Sequence, residues 1–419
     1  MIENEIKIIF NKNQSDLNLI FKAYENRPKI IYLLRFWILS NYMIFKTYGN
    51  DAFKKFLESE FTNPMRFSFY YEQNTYDNPP FLKKSSLLTF NILKPYFKLN
   101  KLIYFGGGFP AKSLIDIFHN RLSNIFIQNL PIIPNNEMRL KLNKIVLSIF
   151  TDLGISDNEE KIIDKLPNIF YSKPIGIADS NDMINVKGSA SSFFEFNTQC
   201  RILLINSQLN ITSFQHGGGY ECTEFDNDFL FGKYELLLSD HFIGWGNPSK
   251  SSDQSKYMPL NVMTNHEKAH KNLYWVESGT PPRLYGEAEK LIYDIASKKS
   301  IKKYISYEIK KSGIRYFSIP HPKCSDSLYV NYRNEDQIIR TKAETIITHD
   351  DVVIFDHPFA SLIYFCASND IKYFIVSSKE FMPRFSSKQT DFIDDLIRKG
   401  VFFFDDEQSK FSDALNKYF

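Results

Sequence analysis

Hydrophobic and polar positions follow one pattern in the first 150 residues of the 419-residue chain and another in the remainder. The early part has mostly the spacing of helices, with one strand predicted at residues 101–105 (KLIYF). From about residue 165 the pattern predicts a strand at 168–172 (NIFYS), an amphipathic helix at 189–208 and a strand at 211–214 (ITSF). Strand, helix and strand in that order predict a parallel βαβ unit.

A second alternation of strands and helices begins at NLYWVESG (272–279), after a polar segment. It predicts strands at 315–319, 351–356, 372–377 and 401–404, helices at 285–299, 360–368 and 390–399, and a last helix. We therefore expect an α/β protein with two Rossmann-like domains facing a central cleft, where ligands bind at loops after the carboxyl ends of strands. The expected parts are an N-terminal domain (1–255), a linker (256–271) and a C-terminal domain (272–419), whose last helix is a candidate to pack back on the N-terminal domain.

The composition narrows the class of protein only a little. Hydrophobic residues at 43% and charged residues at 24% are ordinary for a soluble globular chain. A net charge of +3 gives no case for a nucleic-acid partner. The four cysteines contain no CxxC pair, which favours a reducing compartment, and the N-terminus lacks the apolar region of a signal peptide. We expect a cytoplasmic protein.

Two segments have alternative interpretations at a surface. Residues 31–45 (IYLLRFWILSNYMIF) are too few to span a bilayer and include Arg35, so they predict a buried amphipathic helix. Peripheral contact of this segment with the inner membrane is the alternative. Four lysines near residue 300 predict a solvated helix face, with contact to an anionic surface as the alternative: Lys298, Lys299, Lys302 and Lys303.

The segment QHGGGY follows the strand predicted at 211–214 and is the first candidate site. It consists of Gln215, His216, Gly217, Gly218, Gly219 and Tyr220. Glycines permit positive φ and close approach of the backbone to a ligand, at a loop whose amides can hold an anion. An imidazole there can act as a general base or donate to a phosphate or carboxylate, so His216 is a catalytic candidate. The alternative is a glycine-rich turn whose histidine only contacts backbone.

The segment IPHPK follows the strand predicted at 315–319 and supplies His321, Pro322 and Lys323. Pro322 restricts His321 to extended backbone, which can aim the ring at a ligand. Lys323 adds a positive charge suited to phosphate. An HP dipeptide alone is a weak signal, and its position after a strand strengthens it.

The segment DHPFAS follows the strand predicted at 351–356 and supplies Asp356, His357 and Ser361. Ser361 at a helix start could offer its hydroxyl and amide to a phosphate, and ordinary N-capping is the alternative. Asp179 and Asp182 follow the strand predicted at 168–172, so we expect them near QHGGGY as candidate catalytic carboxylates, with surface loop residues as the alternative.

Two further motifs are weaker. HEKAH (266–270) matches the HExxH zinc pattern, but its polar flanks TN and KN do not suit a buried zincin helix, and we expect no metal. GGGFPAKS (106–113) resembles a phosphate loop, but Ala111 replaces the glycine before the lysine and Pro110 lacks an amide.

Taken together, QHGGGY, ELLLSDHFIGWGNP, PHPK and DHPFASLIYFCASNDIKYFIV resemble segments of bacterial surface-carbohydrate transferases. The resemblance is to the capsule Kdo-type ulosonic-acid glycosyltransferases, which have the GT-B fold and CMP-activated donors, and it extends in pieces over residues 165–404. It implies that His321 and Pro322 hold the CMP phosphate, that Ser361 assists, and that His216 faces the reaction centre.

The function implied is transfer of a ulosonic or nonulosonic acid, Kdo-like or sialic-acid-like, from a CMP-activated donor to a bacterial surface glycan, glycolipid or protein. The alternatives are a GT-B transferase with a UDP-, GDP- or CDP-linked donor, and a non-catalytic glycan-binding scaffold. No cofactor other than the nucleotide-sugar donor is expected. Nucleotide binding discriminates the transferases from the scaffold.

Overall fold

The computed structural model describes most of the helical and strand segments of the chain. The described residues are 2–59, 87–105, 114–155, 159–177, 182–188, 201–215, 238–243, 271–278, 295–320, 337–358, 360–379, 387–406 and 408–419. They form two compact units. The first unit contains the described residues up to Phe214 together with residues 238–243, and the second contains Gln215 and the described residues from 271 onward. Each unit contains a sheet of parallel strands, so the α/β class with two Rossmann-like sheets is confirmed.

Most of the described part of the first unit is helical, and six of its helices are named here. They are α1 (Ile2–Ile20), α2 (Arg27–Glu58), α3 (Leu87–Asn100), α4 (Leu114–Gln128), α5 (Asn136–Asp152) and α6 (Glu159–Lys165). Helix α5 begins at a side-chain cap, because Asn135 accepts a hydrogen bond from the backbone N–H of Met138 at 3.2 Å. The helical character predicted for the first 150 residues is thus confirmed over the described part.

The apolar segment 31–45 lies inside α2 and is buried on nearly all sides. Trp37, Ile38 and Tyr42 have at most 1% of their surface exposed, and even Ser40 and Asn41 are buried and bond to backbone carbonyls one turn earlier. The prediction of a buried helix is confirmed, but its amphipathic character is wrong, because a helix that is apolar all round becomes interior. No helix in the described residues combines the length and apolarity needed to cross a membrane.

The sheet of the first unit has four parallel strands in the order β1-β2-β3-β4. They are β1 (Leu102–Phe105), β2 (Met183–Gly188), β3 (Gln208–Phe214) and β4 (His241–Ile243). The strands predicted at 101–105 and 211–214 are confirmed. Residues 189–200 of the helix predicted at 189–208 lie outside the described residues. Residues 201–203 are helical, but the predicted end is wrong, because Gln208 already belongs to β3.

The strand predicted at 168–172 is wrong. Asn168–Tyr171 forms a 3-10 helix in which Ile169, Phe170 and Tyr171 are all buried. A short apolar run does not distinguish a strand from a buried helical turn, because it lacks the alternation of a half-buried strand. The strand that pairs with β3 is β2, whose buried Ile184 and Val186 alternate with more exposed neighbours.

The second unit alternates strands and helices. Its elements are β5 (Leu273–Val276), α7 (Ile295–Ser312), β6 (Tyr316–Ile319), β7 (Val352–Phe355), α8 (Ser361–Ser368), β8 (Lys372–Ser377), α9 (Ser387–Arg398), β9 (Phe402–Phe404) and α10 (Gln408–Tyr418). The predicted strands are confirmed to within a residue at either end. The helix predicted at 285–299 is described from Ile295 and continues to Ser312, and the predicted linker lies outside the described residues except for Lys271.

The strands of the second unit are all parallel, in the order β6-β5-β7-β8-β9. Residues Val352–Phe355 of the central β7 are all fully buried, as expected for a parallel strand covered on both faces. The last helix, α10, packs within its own unit, where Phe411 contacts Tyr304 of α7 and Phe374 of β8. This order of strands is that of flavodoxin-like doubly wound sheets.

Candidate functional site

The strand order of the second sheet places a topological switch point between β5 and β7. From β5 the chain goes to β6 on one side, and β7 pairs with β5 on the other side. Ligands of open parallel sheets bind outside the carboxyl ends of the strands at such a point. A candidate site therefore lies at the residues that directly follow the two strands. These are Glu277 and Ser278 after β5, and Asp356 and His357 after β7.

Three of these residues form one buried network with Lys302 and Ser318. We name the five the carboxyl-edge cluster: Glu277, Ser278, Lys302, Ser318 and Asp356. The ammonium group of Lys302, on α7, lies 2.9 Å from a Glu277 oxygen and 2.7 Å from a carboxylate oxygen of Asp356. The three charged side chains are each at most 2% exposed. One cation thus joins the ends of two neighbouring strands in the interior of the unit.

Hydrogen bonds complete the carboxyl-edge cluster. The backbone N–H of Ser278 donates to Asp356 Oδ1 at 2.7 Å, and the hydroxyl of Ser318, on β6, donates to Glu277 Oε1. The ammonium group of Lys302 also lies 5.6 Å from the ring centroid of Trp275. Because buried charges are stable only when they are paired and hydrogen-bonded, this network fixes the ends of β5, β6 and β7 relative to one another.

The pKa shifts in the cluster show which interaction dominates. Burial alone would lower the pKa of Lys302, but attraction by Asp356 and Glu277 outweighs it and the pKa is raised. Burial alone would raise the pKa of Asp356, but Lys302, the charge of His357 and the Ser278 N–H outweigh it and the pKa is lowered. Lys302 and Asp356 are therefore charged near neutral pH, and the single ammonium group lies against two carboxyl groups.

His357 and Ser361 both lie beyond the carboxyl end of β7. His357 is half-buried and follows Asp356 directly, whereas the side chain of Ser361 is exposed at the first residue of α8. The N-cap position of α8 belongs to Ala360, and no side chain caps this helix end. The N-capping role considered for Ser361 is therefore wrong, and the first turn of α8 presents backbone amides next to an exposed hydroxyl.

Gln215 and Asp182 lie at opposite ends of the first sheet. Gln215 is buried directly after β3, at the carboxyl edge, whereas Asp182 precedes β2 at the amino edge and pairs with Lys101 at 2.6 Å. The β2–β3 register aligns Met183 with Gln208, so about six residues of strand, roughly 20 Å, separate the two ends. The expected proximity of Asp182 to QHGGGY is wrong, because the true strand begins after Asp182 rather than before it.

Several predicted residues lie outside the described part of the chain. These are Asp179, His216, Gly217, Gly218, Gly219, Tyr220, His321, Pro322 and Lys323, together with the HEKAH and GGGFPAKS motifs. Their place along the chain is still informative, since QHGGGY starts at the carboxyl end of β3 and PHPK starts directly after β6.

Lys302, Glu277 and Ser278 are the residues of this region that sequence reasoning missed. Lys302 was expected on a solvated face with its neighbouring lysines, but it is buried, whereas Lys303 beside it is exposed. A usable signal was present, because Glu277 and Asp356 each follow an almost wholly apolar strand and carboxylates in such positions need a cation.

Comparisons of the chain with protein-family models, with curated proteins and with solved structures gave no match.

Proposed function

We propose that the protein is a glycosyltransferase of the GT-B type that binds a nucleotide-sugar donor at the carboxyl edge of its second sheet. The observation that carries the proposal is the position of His357 and Ser361, two of the residues predicted to contact donor phosphate. Both lie past the carboxyl end of β7, next to the switch point where parallel sheets bind nucleotides. The predicted phosphate-binding segment PHPK continues from the end of β6, which is separated from β7 by β5 in the sheet.

The local chemistry suits a phosphate. An uncapped helix start offers backbone amides and the positive end of the helix dipole, and the exposed Ser361 hydroxyl adds a donor. His357 can add a charge-assisted hydrogen bond in its cationic form. In the proposal, His321, Pro322 and Lys323 approach the same phosphate from the loop after β6.

The reaction proposed is transfer of a ulosonic or nonulosonic acid from CMP. The bond between the anomeric carbon and the phosphate oxygen breaks, and CMP leaves with the bonding electron pair. An acceptor hydroxyl attacks the anomeric carbon, and its proton passes to a general base. His216 is the proposed base, and Gln215 and the following glycines shape the acceptor side. The choice of CMP rests on the sequence resemblance alone, and a cytoplasmic location follows from the use of an activated nucleotide donor.

The test is a calorimetric titration of the full-length protein with CMP, UDP, GDP and CDP. We expect CMP to bind and His357→Ala to weaken it roughly tenfold to a hundredfold, the usual cost of losing a hydrogen bond to a charged group. The matched control is His349→Ala, because His349 is exposed near the amino end of the same strand, β7, and should leave affinity unchanged.

The outcomes separate the alternatives. If UDP, GDP or CDP binds in place of CMP, the proposed site stands, but the donor is a sugar linked to that nucleotide. Equal losses of nucleotide affinity in His357→Ala and His349→Ala would show that the nucleotide does not bind at the carboxyl edge. No binding of any of the four nucleotides would favour a glycan-binding scaffold over a transferase.

A further inference from the structure

An arginine follows a short segment that extends the second sheet beside β6. Ile338 forms an isolated parallel bridge with Ser318 of β6, and the backbone N–H of Ile339 donates to the carbonyl oxygen of Ser318 at 2.8 Å. Ser318 also pairs with Trp275 of β5, so this segment lies on the side of β6 away from β5. The chain runs parallel to β6 here and then reaches Arg340.

The direction of this segment decides which edge of the sheet Arg340 occupies. Ser318 is followed in β6 only by Ile319, the last residue of the strand. At about 3.3 Å per residue, the two residues from Ile338 to Arg340 carry the chain past the end of β6. The side chain of Arg340 is exposed. Arg340 therefore lies at the carboxyl edge, beside the point where PHPK begins.

Hydrogen bonds connect the segment before Arg340 to the carboxyl-edge cluster. Ser318, whose carbonyl oxygen accepts from Ile339, also donates its hydroxyl to Glu277. The backbone N–H of Glu277 donates to the carbonyl oxygen of Ile319 at 3.0 Å. The end of β5, the end of β6 and the segment before Arg340 thus lie side by side, which fixes the place of Arg340 relative to the switch point.

The other charged groups at this edge would not by themselves attract a phosphate. Four carboxyl groups lie within two residues of described strand ends: Glu277, Asp356, Asp405 and Asp406. Two lysines at the same edge are already paired with carboxylates, Lys302 within the carboxyl-edge cluster and Lys379 with Asp406 at 2.9 Å. Because phosphate binds most strongly to charged donors, a further cation at this edge would decide how well an anionic ligand binds.

The order of the strands gives the arginine and His357 a common position for a ligand. The segment of Arg340 is two sheet positions from β5, roughly 10 Å, whereas β7 is one position away on the other side, roughly 5 Å. The longer side chain, that of arginine, thus starts from the farther position. A group above the end of β5 is within reach of Arg340 from one side and of His357 from the other.

We propose that Arg340 binds the phosphate of the nucleotide donor from the side of β6, opposite His357. A guanidinium group is planar and always charged, and its N–H donors match two phosphate oxygens at once. The inference rests on the proposed function, and it adds to the donor site a residue that lies outside the PHPK and DHPFAS motifs.

The test is calorimetric titration of the full-length protein and its variants with whichever of CMP, UDP, GDP and CDP the wild type binds most tightly. We expect Arg340→Gln to weaken binding roughly tenfold to a hundredfold, the usual cost of losing a hydrogen bond to a charged group. Arg340→Lys should recover part of that loss, because lysine keeps the charge but lacks the paired donors. Circular dichroism should show both variants folded, since the substituted side chain is exposed.

The matched control is Arg315→Gln. Arg315 is also exposed, and it directly precedes β6, at the amino end of the strand whose carboxyl end lies beside Arg340. The control therefore removes the same charge from the opposite edge of the same sheet. It should bind the nucleotide as the wild type does.

The outcomes separate a failure of this inference from a failure of the proposed function. A loss of affinity in His357→Ala without a loss in Arg340→Gln would overturn the role of Arg340 and leave the donor site in place. Equal losses in Arg340→Gln and Arg315→Gln would also overturn it, because they would reflect the net charge of the protein rather than a contact. Absence of nucleotide binding by the wild type would overturn both proposals.

Discussion

Replacing Lys302 with methionine tests whether the carboxyl-edge cluster holds the second unit together. Methionine has nearly the length of lysine and fills the same space against Trp275. The change removes the only cation that lies between Glu277 and Asp356 among the described residues. Both carboxylates then stay at 2% exposure or less, without a counter-charge.

The expected cost follows from this geometry. Removing one partner of a buried ion pair typically destabilises a protein by about 3–5 kcal/mol. Lys302 pairs with two carboxylates at 2.7 and 2.9 Å, so we expect the upper part of that range. That loss is a large fraction of the total stability of a domain, which is about 5–15 kcal/mol. The hydrogen bonds from Ser278 and Ser318 remain and keep the loss from being larger.

The measurement is hydrogen exchange of the peptides that contain β5 and β7, followed by mass spectrometry. It reports the opening free energy of the second unit without requiring both units to unfold together. Lys303→Met is the control, since Lys303 is the exposed neighbour on α7 and should change the opening free energy by no more than about 0.5 kcal/mol. Combining Lys302→Met with Glu277→Gln and Asp356→Asn should recover most of the loss, because no buried charge then remains unpaired.

The pH dependence of stability is a second test of the ion pair between Lys302 and Asp356. In the wild type the pKa of Asp356 is lowered from 3.8, so its stabilising contribution is complete above that pH and is lost as the pH falls below it. In Lys302→Met, burial is no longer outweighed by Lys302, the pKa rises, and stability should improve as the pH falls toward 4. Equal costs for Lys302→Met and Lys303→Met, or parallel pH slopes in variant and wild type, would refute the reasoning.

Two further substitutions test local interactions. Glu308 on α7 has no exposed surface, and its carboxylate oxygens have no hydrogen-bond partner in the described structure. Glu308→Met should therefore raise the opening free energy measured by hydrogen exchange by about 1–3 kcal/mol. A lower opening free energy in the variant would show that the carboxylate stabilises the fold. Asn135 caps α5, so Asn135→Ala should lower stability by about 1 kcal/mol in urea unfolding while Asn135→Asp keeps it, and equal losses in both variants would argue against the cap.

The fold of the second unit could be predicted from the sequence because its local signals agree. The strand at 372–377 is apolar, aromatic and β-branched, and it appears in the structure with those bounds. The first unit was harder. NIFY is as apolar and aromatic as a strand, but its side chains pack from a 3-10 turn, and tertiary packing decides between the two conformations. The alternating MINVKG, which is β2, was the better strand signal.

The sequence correctly placed His357 and Ser361 after an apolar strand, because the signals of β7 and α8 are clear. Their contact with a ligand stays a prediction, which rests on the rule that parallel sheets bind ligands at strand ends. Lys302 could not be chosen from its neighbours, since four lysines occur within six residues and only the rotation of α7 decides which one points inward. The Asp182 expectation failed for a related reason, because one misplaced strand moves a residue from one edge of a sheet to the other.

The charge balance of the carboxyl-edge cluster also bears on how a phosphate could bind above it. Two carboxyl groups share one ammonium group beneath the ends of β5 and β7, and a phosphate near those ends would be repelled by carboxylate charge. The charge of His357 already acts on Asp356, because it lowers the pKa of that carboxyl. An imidazolium at His357 would attract both the buried carboxylate and a bound phosphate. A loss of nucleotide affinity in His357→Ala would therefore test the electrostatics of the site as well as its location.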